Sequence, residues 1–292
     1  MPLVNFREML DDALAGGYIV GYFESWNLDS LESVLSAAEE LKSPVIIGFG
    51  GMTVNQDWFK HGGLDYLAAL GREAVRFSKV PVSFIINEVS FEECLRGMDS
   101  GFNVVMLDSG GLDFEENIKI TKELVKIAHK RKVGVEAELG HLPENLEDKN
   151  LILTDPKKAE TFVKETCIDA LSVSIGNVHT LINEEASIDL KLLKEIRESA
   201  PIPLVIHGGS GFPKDRLKDC LKYGVAKFNV GTVLKKVYID GIKGGITGLQ
   251  EDFDVQSVVG SRKTTDFTYR GKQNIKEKVK EFIRLLGSAG RA

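Results

Sequence analysis

Eight repeats of an apolar strand followed by a helix, spread over 292 residues, predict a (β/α)8 TIM barrel occupying residues 1–292 as one domain. Two observations carry this. The strand segments are continuous apolar runs such as Val104-Val105-Met106-Leu107 and Pro203-Leu204-Val205-Ile206, the pattern of parallel strands covered on both faces. Each run is followed by a segment of helical period, as βαβ units require, and eight equal units suit a closed barrel better than a doubly wound sheet.

Taken in order, residues 5–15 form a short amphipathic N-terminal helix closed by Gly16-Gly17. Strand one is Tyr18–Phe23, with a helix over Leu28–Leu41; strand two is Val45–Phe49, with a helix over Leu64–Phe77. Strand three, Val80–Ile86, leads to a helix opened by Ser90 with Glu93 three residues on, a capping-box spacing. Strand four is Asn103–Leu107, with a helix over Phe114–Lys130. Strand five, Val133–Ala137, precedes a long polar loop and a helix opened by Asp155-Pro156. Strand six is Ala170–Ser174, with a helix over Ile188–Ser199, and strand seven is Pro203–Ile206. Strand eight is Ala226–Val230, with a helix over Thr232–Ile242. Residues 251–272 read as a polar excursion, and a C-terminal helical extension, Asn274–Leu286, closes the chain with Ile275, Val279, Phe282 and Ile283 on one face.

Hydrophobic content of 43%, charged content of 27% and a net charge of −6 with mixed signs fit a globular enzyme. They offer no basic patch for nucleic acid or anionic membranes. No apolar run approaches the roughly 20 residues that span a bilayer. The first residues lack a signal-peptide profile, and the three cysteines, odd in number and each in a predicted helix, read as reduced thiols. A cytoplasmic location is expected.

In such barrels the chemistry sits at the C-terminal ends of the strands. Those ends bring Glu24, Gly50, Asn87, Glu88, Asp108, Glu136, Glu138, His179, His207 and Asn229 to one face. His207 ends strand seven and is followed by Gly208-Gly209-Ser210-Gly211, a turn that lets backbone N–H groups approach a phosphate. Paired with His179 after strand six, His207 makes a plausible metal site, whose third ligand would be Glu88 or Glu138, with His141 as an outsider. The acidic loop 140–148 is either a solvated connection or a lid bearing a carboxylate base, Glu147 or Glu144.

Ser172-Val-Ser-Ile-Gly-Asn-Val-His179, His207-Gly-Gly-Ser-Gly, Val225-Ala-Lys-Phe-Asn229-Val and Arg284-Leu-Leu-Gly-Ser-Ala-Gly together resemble the class II, metal-dependent ketose-bisphosphate aldolases of the fructose/tagatose type, over essentially the whole length. The resemblance implies that His179 and His207 bind Zn2+ or another divalent metal, that Glu138 lies beside it, and that Glu147 is a mobile-loop glutamate moving the proton α to the carbonyl. It implies a sugar-phosphate substrate held by Gly208, Gly209, Ser210, Asn229 and Thr232, an enediolate stabilised by the metal, and a homo-oligomer, dimer or tetramer.

The chain also departs from that family. Where the family has His-Leu-Asp-His-Gly after strand three, it reads Ile85-Ile86-Asn87-Glu88-Val89. The catalytic-acid position is thus Asn87, and the third metal-histidine position is Glu88, giving a His2Glu set. A Ser or Thr after strand two is Gly50, a Gly after the strand-six histidine is Thr180, and a Lys expected shortly afterwards is missing. An acid or Asn two residues beyond Asn229 is Gly231, and the Asn-rich turn after strand one is Glu24-Ser25-Trp26-Asn27, which puts a carboxylate and an indole near the substrate. The expected activity is aldol cleavage or formation of a ketose phosphate, with the substrate shifted from the usual bisphosphate. A sugar-phosphate epimerase or isomerase, which keeps the base without the acid, and a non-catalytic sugar-phosphate-binding barrel stay open at this point.

Overall fold

The computed structural model describes residues 3–292 except 52, 53, 149 and 183. Eight parallel strands close into a barrel in sequence order: β1 (Val20–Ser25), β2 (Val45–Gly50), β3 (Val82–Val89), β4 (Val104–Leu107), β5 (Gly134–Leu139), β6 (Ala170–Val173), β7 (Leu204–Ile206) and β8 (Val225–Val230). The helices are α1 (Phe6–Gly16), α2 (Leu28–Glu40), α3 (Gln56–Trp58), α4 (Leu64–Phe77), α5 (Phe91–Ser100) and α6 (Phe114–Lys130), then α7 (Pro156–Thr166), α8 (Leu190–Ser199), α9 (Leu217–Lys222), α10 (Thr232–Thr247), α11 (Val255–Val258) and α12 (Tyr269–Leu285).

The starts of these helices follow from the sequence. The Ser90 hydroxyl accepts from Glu93 N–H at 3.3 Å, while Glu93 Oε2 accepts from Ser90 N–H at 2.9 Å, so two orphan donors at the head of α5 are satisfied reciprocally. Asp113 and Glu116 close the same box on α6. Apolar residues facing outward from the strands pack together beneath the helix ring, as in the edge-on contact of Phe49 on β2 with Phe84 on β3 at 6.1 Å; Gly71 of α4 lies so close over the Phe84 ring that a Cβ there would be 2.1 Å from it.

The barrel interior changes character along its axis, and that change positions the site. At the N-terminal end α1 acts as a plug, with Phe6, Met9, Leu10 and Ala13 packed against Val20, Ile46, Ile85 and Val104. Two residues further along the strands the interior turns polar, with Asn87, Glu136, Lys227 and Asn229 all buried. Several strands therefore run past their apolar stretches: β1 to Ser25, β3 to Val89 and β5 to Leu139, each two or three residues beyond the predicted end.

The other differences lie in the C-terminal part. α10 continues five residues past Ile242 to Thr247, and α12 begins at Tyr269 rather than Asn274, so the excursion between them is shorter and contains α11. α10 and α12 cross where Gly241 meets Gly271; a Cβ on Gly241 would lie 2.4 Å from Gly271 N, and that closeness carries both helices beyond the periodic stretch that predicted them. After the glycine turn, two 3-10 turns precede the six-residue α9. Among the described residues no helix is long and apolar enough to cross a membrane.

Candidate active site

Two backbone features bring the histidines together. Gly208 adopts φ 71°, and a Cβ there would lie 2.2 Å from Val178 O, so only glycine lets the turn after β7 press against the loop after β6. Asn177 ties the same loops, its Nδ2 donating to His207 O at 3.0 Å. The His179 and His207 rings then face each other edge to face, centroids 6.2 Å apart.

Glu88 reaches them by an irregularity. In a regular strand, neighbours point to opposite faces, so Asn87 inside would send Glu88 outside. Instead the β3–β4 register shifts between Ile86 and Val89, and Glu88 takes φ 55°, a left-handed conformation costing a non-glycine residue about 1–3 kcal/mol. Both side chains thereby enter one cavity of about 280 Å³ at the C-terminal mouth of the barrel. Glu88, His179 and His207 each place one ligand atom within 4.8 Å of the others.

Behind this triad lies a buried charge chain. His207 Nδ1 donates to Glu88 Oε1 at 3.1 Å and Nε2 donates to Glu136 Oε1 at 2.8 Å. Lys227, fully buried, binds Glu136 Oε2 at 2.8 Å and Asn229 Oδ1 at 2.7 Å. Burial works against the charged form of His207, but Glu136 and Glu88 outweigh it and lift the imidazole to about 9. Burial pushes Glu88 up, yet His207, His179 and Lys227 bring it down to about 2. His179, with burial dominating, is held below its usual value and so keeps a free lone pair. The donor set fits a metal. Two imidazoles and a carboxylate form a known catalytic zinc set, and a carboxylate on the far nitrogen of a ligating histidine is the usual orienting partner.

The remaining expected residues divide. Gly208, Gly209, Ser210, Asn229 and Thr232 all line the cavity with the triad. Ser210 Oγ accepts from Val233 N–H at 3.0 Å, tying the glycine turn to the first turn of α10, whose start carries no side-chain cap at Gly231. Asn87 lines the cavity with its buried Oδ1 unpartnered. Glu138 lies beside the site, outside the triad, facing a neighbouring pocket with Asp108 and His141; burial lifts its carboxyl to about 7. Glu147 is exposed at the tip of its loop, where Asn145 and Asp148 bond the backbone, and does not line the cavity; Glu144 of the same loop does. Trp26 packs against Tyr238, centroids 5.6 Å apart, and is also absent from the lining, whereas Glu24 is there.

Comparison with known proteins then decides the family. The family described as "Fructose-bisphosphate aldolase class-II" matches residues 4–291. The chain belongs to the class-II fructose-bisphosphate aldolase family. It is 34% identical to a fructose-bisphosphate aldolase of Geobacillus stearothermophilus, covering 100% of this chain and 99% of that one. It is likewise 34% identical to a probable fructose-bisphosphate aldolase of Bacillus subtilis, covering both chains fully. Among solved structures, the YdjI aldolase of Escherichia coli K12 superposes with a TM-score of 0.82 at 31% identity over 99% of each chain. As a class-II aldolase the chain is a metal-dependent carbon–carbon lyase, of a family that acts on small sugar phosphates.

A metal held by His207 would be taken up in a pH-dependent way. The proton held on Nδ1 must leave before that nitrogen can ligate, so uptake below about pH 9 should release close to one proton. Apparent affinity should rise with pH up to that value. Titration calorimetry with zinc in buffers of different ionisation enthalpy checks this; an enthalpy independent of buffer would contradict it. In the metal-free protein the raised pKa contributes stability that is complete below about pH 6.5 and lost as pH rises through about 9.

Three residues carry parts of the site beyond the roles expected from the sequence: Glu136, placed on the active face there without a role, and Lys227 and Lys235, which were not singled out. One signal was available. Lys227 stands alone among apolar residues in a strand that must be buried, and such a lysine needs a buried carboxylate on a neighbouring strand.

Proposed function

We propose that this aldolase splits and forms a ketose phosphate using zinc held by Glu88, His179 and His207. The observation that carries the reading is the convergence of those three side chains, with Glu136 on the far nitrogen of His207, inside a cavity that also contains the glycine turn and the head of α10. When bound, the ion supplies Lewis acidity at the substrate's ketone and hydroxyl oxygens. Gly208, Gly209 and Ser210, with Thr232 at the start of a 16-residue helix, would hold the phosphate through backbone N–H groups and hydroxyls. Asn229, whose Oδ1 is occupied by Lys227, presents its amide N–H2 to the substrate.

Asn87 cannot transfer a proton as an acid. Its role becomes acceptance of a hydrogen bond from the substrate hydroxyl by the unpartnered Oδ1. The base is assigned to the loop after β5, and to Glu147 within it, which reaches the substrate when the loop tip swings over the cavity. Glu147→Gln should lower kcat by about a hundredfold or more, and Glu144→Gln by less. The check is exchange of solvent deuterium into dihydroxyacetone phosphate by each variant; loss of exchange in Glu144→Gln alone would move the role to Glu144. The reading as a whole is tested by coupled assay of dihydroxyacetone phosphate release from ketose phosphates. Turnover should vanish with a chelator and return with zinc, and its persistence after complete metal removal would contradict the proposal.

A further inference from the structure

The wall of the cavity formed by β1, β2 and β8 carries a single rearrangement. Glu24 ends β1, Gly50 ends β2 and Gly231 follows β8. A Cβ on Gly50 would lie 3.0 Å from Glu24 Oε1, and a Cβ on Gly231 would lie 2.3 Å from Glu24 Oε2. The Glu24 carboxylate thus fills the space that side chains at both glycine positions would otherwise claim. It is held there by Lys235, whose Nζ is 2.8 Å from Oε1, and the pair remains partly open to the cavity, with 18% and 37% of the two side chains exposed.

The charges of the cavity follow from this. Among the described residues lining it, the carboxylates are Glu24, Glu88 and Glu144, and the one ammonium is Lys235, already bound to Glu24. The imidazoles face the metal position. One substrate phosphate would be served by the glycine turn and the head of α10; a second one seated against the β1–β2–β8 wall would meet a lysine already paired to a carboxylate, a like-charge juxtaposition that recognition disfavours. The uncharged groups point the other way. Tyr22 Oη and Asn87 Oδ1 both line the cavity, and both are buried without a partner. Buried, unpaired polar atoms select a ligand that satisfies them.

We infer that the substrate is a ketose 1-phosphate whose remaining chain is an uncharged polyol, and that Glu24, set by Lys235, is the residue that discriminates against a second phosphate. The inference rests on the aldolase reading above and narrows it. The reaction is balanced without a co-reactant: the C3–C4 bond breaks, the C4 hydroxyl gives up its proton as C4 becomes the aldehyde, and C3 gains a proton, leaving dihydroxyacetone phosphate and an unphosphorylated aldehyde. Glu24 Oε2 and Asn87 Oδ1 accept from the polyol hydroxyls, and the Tyr22 hydroxyl donates or accepts as the chain requires.

The test compares kcat/KM of the zinc-loaded protein for fructose 1-phosphate and tagatose 1-phosphate with that for the matching 1,6-bisphosphates. A monophosphate should be preferred by at least about tenfold, equivalent to about 1.4 kcal/mol. Glu24→Gln, which keeps the shape and removes the charge, should raise the bisphosphate-to-monophosphate ratio about tenfold, and Lys235→Met should lower it. Preference for a bisphosphate, or a ratio unmoved by both variants, would overturn this inference while leaving the aldolase reading intact. Absence of turnover on all four compounds by metal-replete protein would instead overturn the aldolase reading and this inference with it.

Discussion

His207→Ala is expected to abolish metal retention and lower kcat/KM by at least about a thousandfold. His207 is the only member of the triad that touches both other parts of the site, Glu88 through Nδ1 and Glu136 through Nε2. Its loss removes one ligand and at the same time the group that holds the Glu88 carboxylate in place. Lewis-acid assistance is worth several kcal/mol in such reactions, and each 1.36 kcal/mol is a factor of ten in rate. Metal content after dialysis and steady-state kinetics check the expectation together. Retention of one equivalent of zinc with kcat/KM within tenfold of the parent would show that the ion is held elsewhere.

Lys227→Met is expected to have the largest effect on stability. The Lys227 side chain and its partner Glu136 are both completely buried, and the ammonium also lies 4.9 Å from the centroid of the Tyr22 ring. Removing Lys227 strips Glu136 of its ammonium partner and leaves only the His207 imidazole beside a fully buried carboxylate; breaking a buried pair costs about 3–5 kcal/mol, and the remaining imidazole puts the loss near the lower end of that range. Methionine matches the length of the aliphatic stem, so cavity formation adds little. Urea denaturation of the metal-free protein should show that loss, and the double variant Lys227→Met, Glu136→Gln should recover more than half of it, because the orphaned charge is gone. A loss under about 1 kcal/mol in the single variant would contradict a stabilising role for the Lys227–Glu136 pair.

The barrel was legible because its signals are local and repeated. Apolar runs alternating with helical period determine eight strands, and the Ser90–Glu93 spacing marks a helix start that the hydrogen bonds reproduce. The histidine pair was legible from its place at the ends of neighbouring strands. Glu88 was harder. Strand periodicity points it away from the site, and only a bulge with a left-handed residue turns it inward, a feature no periodicity encodes. The pairing of Glu136 with Lys227 was hidden for a different reason: it is a contact 91 positions apart in sequence. The link between Glu24, Gly50 and Gly231 has the same character. Each departure reads singly as a lost or gained group, and only their shared space in the folded chain makes them one change.

The most direct test of the account is diffraction from zinc-soaked crystals collected on both sides of the zinc absorption edge. The account predicts one anomalous peak bonded to Glu88, His179 and His207, with Glu136 still on His207 Nε2. A peak placed among Asp108, Glu138 and His141 instead, or none between the two imidazoles, would contradict it.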